Sequence, residues 1–291
     1  MVSKTVQAGA TPVFSAIMAK GELFTFGFSF LCEVNPMEEK VIQIDIEETY
    51  ERAQRYMDIM CGFDRGSSMA AKSKVLAQKV REHNFNGMKM PFLVKGFGKQ
   101  QINGEYFEFD NVKIKCTALN KFEKDNIYGG YVFIFRSPMP DIYNLPVSKM
   151  YLADSWETCF VDAGRDILRE RLLKEATLRF GKTLYITDTL APGMAGMPSE
   201  SVKEFFEFMD AEKIGIKLMD SGMMNPVKSF VGIYLVIDKE YMVSTMNCNE
   251  CQSGHKFCEY CKNYAAVYMG ENFNTEIQKA DRNIMKQWGI S

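Results

Sequence analysis

Residues 191–237 read APGMAGMPSESVKEFFEFMDAEKIGIKLMDSGMMNPVKSFVGIYLVI, and their pattern changes twice. Two prolines and two glycines within Ala191–Pro198 forbid regular structure there, so the stretch opens as a loop. Ser201-Val-Lys-Glu204 has the form of a capping box. Val202, Phe205, Phe206 and Met209 follow at i, i+3, i+4 and i+7, which predicts an amphipathic helix that Gly215 can end. Ile216–Met219 is then a short candidate strand, and Val231–Ile237 is an apolar run of strand length.

Upstream, Val41–Ile46 alternates apolar and polar residues and predicts a strand. Residues 47–60 and 68–83 predict helices parted by the turn signal Gly62–Gly66. Residues 91–117 are rich in Phe, Val, Ile and Tyr, and Asn103-Gly104 marks a hairpin. Asn126–Arg136 suits a buried strand, and a proline-rich loop follows. Lys149–Phe180 reads as one long helix or a broken pair, and Thr183–Thr187 as a short strand. Helices and strands mix without strict alternation, which predicts an α+β fold rather than a doubly wound sheet.

The totals bound the function. Hydrophobic residues make up 46% and charged residues 25% of 291, enough to build a core without disulfides. A net charge of −2 carries no basic excess for nucleic acid. No run of eighteen apolar residues predicts a membrane span, and no signal peptide is evident, so the expected compartment is cytoplasmic.

Four of the eight cysteines, Cys248, Cys251, Cys258 and Cys261, fall in the spacing C-x2-C-x6-C-x2-C. Two such pairs can bring four thiolates to one centre, either structural zinc or an iron–sulfur cluster. His255 lies inside the loop and could replace one thiolate. Elsewhere, His83 reads as a helix C-terminal residue, Val94–Lys99 (VKGFGK) as a hairpin rather than a phosphate loop, and Asp154, Glu157 and Asp162 as a solvated helix face.

The stretch from Ala191 to about Val243 resembles the activation (reactivation) domain of cobalamin-dependent methionine synthase. The matching positions are Ala191-Pro192-Gly193, Met209–Lys213, Leu218–Ser221, Pro226, and Ser229–Gly232. The resemblance implies an α+β domain in which a twisted antiparallel sheet is flanked by helices. It implies division into an extension over 1–40, the activation-domain-like fold over 41–245, and a cysteine-rich segment with a C-terminal helix over 246–291. It also implies S-adenosylmethionine as a ligand of the loop, with Thr189, Ala191, Pro192, Gly193, Met194 and Asp220 as cofactor-site positions. Two of these depart from the family pattern: Thr189 stands where the family has Arg, and Met194 where it has Tyr. Threonine offers no fixed cationic fork for a carboxylate.

The function implied is that of an accessory protein of a corrinoid (vitamin B12)-dependent methyltransferase system. It would dock on a corrinoid-binding protein and assist cobalt reduction or remethylation. The resemblance favours iron–sulfur over zinc at the cysteines, because reducing a corrinoid needs low-potential electrons. The chain lacks an Asp-x-His-x-x-Gly motif, so a partner is expected to hold the corrinoid. The alternatives are a small-molecule or protein binding module with a structural zinc tail and, behind it, a corrinoid-linked methyltransferase.

Overall fold

A computed structural model describes residues 38–239 except 64, 65 and 143. Strand β1 (Lys40–Asp45) runs directly into helix α1 (Ile46–Met60), whose first turn carries Glu47 and Glu48 where the helix dipole favours them. Helix α2 (Ser68–Asn84) begins at Ser67, whose hydroxyl accepts from the Ala70 N–H at 3.0 Å, and His83 lies in its last turn. Strand β2 (Lys89–Gly98) is followed by a meander of β3 (Ile102–Asn103), β4 (Tyr106–Phe109) and β5 (Val112–Lys115); the β3–β4 turn contains the Asn103-Gly104 pair. Strand β6 (Ile127–Phe135) leads through the proline-rich loop to α3 (Val147–Phe180), one unbroken helix of 34 residues that Gly181 closes at φ 63°. Then come β7 (Tyr185–Ile186), α4 (Val202–Phe208), β8 (Lys217–Leu218), β9 (Met224–Asn225) and β10 (Phe230–Ile237).

Five strands form an antiparallel sheet in the order β1-β2-β6-β10-β7. Its central strands are buried on both sides, which is why β6 and β10 read as nearly continuous apolar runs. Alternate residues separate two cores. Phe92, Val94, Phe133, Phe135 and Tyr234 pack with Met57 of α1 and with Trp156, Phe160 and Leu168 of α3. Leu93, Val132, Ile134, Ile233 and Leu235 pack with Phe107 and Ile114 of the meander and Phe205 of α4. The α+β architecture expected from the sequence is the one observed.

The capping box at Ser201 does not form. Pro198, with φ −58°, starts a helical turn over Ser199–Ser201, so Ser201 is already helical at φ −62° and makes no cap bond. The helix also ends early: Met209 is extended, and a separate turn over Ala211–Ile214 is what Gly215 closes at φ 72°.

The solvated face expected for Asp154, Glu157 and Asp162 holds only for Asp154. Glu157 and Asp162 are buried, and each is met by a cation: Lys228 Nζ lies 3.8 Å from Glu157, and Arg165 pairs with Asp162.

Candidate functional site

The loop Ala191–Pro198 leaves the sheet edge at Leu190, whose N–H and C=O both bond Ile233, at 2.9 and 2.8 Å. It then folds on itself. Met194 N–H donates to Ala191 O, Met197 N–H to Met194 O and Gly193 N–H to Met197 O, each at 2.9 Å. The far side is pinned to the segment after β5: Ala118 N–H donates to Ala195 O at 3.1 Å, Thr117 N–H to Gly196 O at 3.4 Å, and the Cys116 thiol to Ala195 O at 3.5 Å. Gly196 has φ 68°, and a Cβ there would stand 1.7 Å from Thr117 Oγ1, so only glycine fits. Ala191, Ala195 and Met197 are buried, while Pro192, Gly193 and Met194 are half-exposed. The sequence thus makes a fixed loop that presents a short apolar rim.

Thr189 forms the root of this loop. It is buried, its side chain hydrogen-bonds Tyr234, and its γ-methyl lies over Gly232. Tyr234 in turn donates to the Arg165 carbonyl at 3.2 Å, and burial pushes its phenol up to about 12. Beneath the root, Asp162, Arg165, Asp166 and Arg169 occupy one side of α3 at i, i+3, i+4 and i+7. Arg165 pairs with Asp162 and lies 4.7 Å from the centre of the Phe230 ring. Arg169 donates to Ile186 O at 2.7 Å and meets Asp188 at 3.3 Å. The spacing of Asp162–Arg169 (DAGRDILR) carried this signal in the sequence, and the sequence reading passed over it.

These contacts bear on the adenosylmethionine expectation. The hydroxyl of Thr189 is used by Tyr234, and the N–H groups of Gly193, Met194 and Met197 are used inside the loop. Both guanidiniums below are matched with carboxylates. Thr189 itself therefore supplies no cation for the carboxylate of an amino-acid ligand, as an arginine at 189 would.

Asp220 stands exposed on the turn between β8 and β9, which Met219 N–H to Met223 O (2.9 Å) closes. Exposed Met219, Met223 and Val227 flank it. Because Leu190 pairs antiparallel with Ile233, the chain after it heads toward the start of β10, the end from which Asn225 and Pro226 arrive. Loop and turn thus lie at the same end of β10. Cys248, Cys251, Cys258, Cys261 and His255 lie outside the described residues; among the described residues no group of three or more His, Cys, Asp or Glu could hold a metal ion. Among the described residues no helix is long and apolar enough to cross a membrane.

No family model and no curated protein matches the chain. Among solved structures, the crystal structure of the MetH reactivation domain bound to AdoHcy is similar, with a TM-score of 0.45 and 12% identity over 73% of this chain and 82% of that one.

Proposed function

We propose that this chain is an accessory protein of a corrinoid-dependent methyltransferase system, one that docks on a corrinoid-binding protein and assists reduction or remethylation of its cobalt. The observation that carries the reading is continuity. The motifs of the resemblance, from Ala191 to Ile237, run as a single path of loop, helix, exposed turn and inner sheet strand.

In this reading the half-exposed rim Pro192–Met194 and the turn bearing Met219, Asp220 and Met223 meet the partner. The apolar residues supply contact area and Asp220 a rim charge. The loop's closed hydrogen bonding means little order has to be imposed on docking. Four thiolates at Cys248, Cys251, Cys258 and Cys261 would hold an iron–sulfur cluster or zinc; the former would supply electrons at low potential.

A second reading is favoured by the root of the loop, where Thr189 supplies no cation: a small-molecule or protein binding module with a structural zinc tail and no redox role. Metal analysis of anaerobically purified chain separates the two, since iron with acid-labile sulfide supports the first and stoichiometric zinc the second.

The docking claim is tested by sedimentation of the chain with a purified corrinoid-carrying methyl-transfer protein. Saturable association that Met194→Asp and Met223→Asp weaken, with both variants as heat-stable as wild type, supports it. Absence of association, or association indifferent to both variants, opposes it.

A further inference from the structure

Helix α1 lies along α3 in a contact that is apolar at its centre and ionic at its margin. Ala53, Tyr56 and Met57 of α1 are buried in the same core as Trp156, Phe160 and Leu168 of α3. At the margin three carboxylates of α3, Asp162, Asp166 and Glu170, follow at intervals of four and so stack on one side of the helix. Two guanidiniums meet them. Arg165 pairs with Asp162, while Arg52 of α1 reaches Glu170 at 2.6 Å and Asp166 at 3.7 Å. Arg169 turns away to Asp188. From α1, Tyr56 donates its hydroxyl to Asp166 Oδ2. From the sheet, Tyr234 faces the same region but donates to the Arg165 carbonyl.

With all three carboxylates ionised, the group carries one negative charge more than its two guanidiniums balance. Asp166 is where that excess is hardest to hold. Its side chain is 18% exposed against 60% for Glu170, and it shares Arg52 with that residue. Asp162 is more buried still, at 11%, but Arg165 pairs with it directly, whereas Arg52 stands 3.7 Å from Asp166 and is shared. Burial pushes its carboxyl up to about 6, against the pull of Tyr56, Arg52 and Arg165 and with a further push from Asp162.

We propose that the seam between α1 and α3 is a proton-linked joint, in which α1 seats on α3 with uptake of one proton at Asp166 and loosens when that proton leaves. Protonated Asp166 keeps the tyrosine contact without a buried charge, and Arg52 is then left to Glu170. Ionised Asp166 sits at the same contact as an under-compensated anion. Acidification tightens the joint. The same turn of α3 holds Tyr234, and through it Thr189, so the joint lies one layer beneath the root of the loop.

The test uses the full chain. The Asp166 carboxyl carbon, assigned in wild-type protein, is titrated by NMR, and amide exchange of α1 is followed at pH 5 and pH 7.5 with correction for intrinsic rates. The proposal expects a carboxyl midpoint near 6. It also expects protection of α1 to fall by up to about tenfold between the two pH values, a fall that Asp166→Asn abolishes. A midpoint below about 4.5, or a pH dependence of α1 that persists in Asp166→Asn, overturns it. Should that variant not fold, the wild-type titration decides alone.

Discussion

The γ-methyl of Thr189 occupies the space a side chain at 232 would need: a Cβ on Gly232 would stand 2.5 Å from it and 3.0 Å from Phe133. The loop root and the sheet strand are therefore a matched pair. Gly232→Ala should cost about 1–3 kcal/mol by overpacking. Thr189→Ser, which deletes the methyl but keeps the hydroxyl for Tyr234, should recover part of that loss in the double variant. A double-mutant cycle in urea measures the coupling; strict additivity would mean the two residues do not compete for space.

Gly193 and Gly196 provide an internal contrast within the loop. Both have positive φ, but a Cβ at 193 finds only Ser199 Oγ at 3.7 Å, whereas one at 196 meets Thr117 Oγ1 at 1.7 Å. Gly193→Ala should cost about 1 kcal/mol through backbone strain alone. Gly196→Ala should cost more, because the Thr117 side chain, beside the bonds that pin the loop, must also give way. Denaturation midpoints of the two variants give the comparison, and equal midpoints would argue against the pinning of the loop.

Much of this fold was legible in the sequence, and most of the exceptions share a cause. The runs at 127–135 and 231–237, the Asn103-Gly104 turn and the long helix before Gly181 are local patterns, and local patterns decide them. The order β1-β2-β6-β10-β7 joins residues far apart in the chain, which no local period reports. Burial of Glu157 depends on Lys228, seventy-one positions on, which also meets Asp154 at 2.6 Å. A window around Glu157 shows only an acid on a helix. Likewise Pro and Gly announced the loop at 191–198, but its attachment to Thr117 and Ala118 comes from a distant segment. Ser201 failed as a cap because Pro198 began the turn first.

Asp166 gives a pH dependence with a definite sign. Its folded carboxyl is raised from 3.8 to about 6, so between these values the native state holds a proton that the unfolded state has lost. That contribution to stability is fully present below about 4 and is lost as pH rises through about 6, at most about 3 kcal/mol. Urea midpoints measured across this range should show the decline in wild type and a flatter profile in Asp166→Asn.

The described cysteines should be inert while the chain is folded. Burial pushes the Cys116 thiol up to about 12, raises Cys159 well above its ordinary value and raises Cys61 as well. Thiolate is the reacting species, so iodoacetamide near pH 8 should leave these three unmodified until denaturant is added. Peptide mass mapping reads the outcome, and rapid native labelling of Cys116 would contradict the packing of the segment that anchors the loop.

The most direct test of the accessory role is the rate at which cobalt(II) on a purified corrinoid-carrying protein is reduced by a fixed low-potential donor, with and without this chain under anaerobic conditions. The account predicts a saturable acceleration that Gly196→Ala and Met194→Asp diminish. A rate unchanged at saturating chain, or an acceleration that both variants leave undiminished, would contradict it.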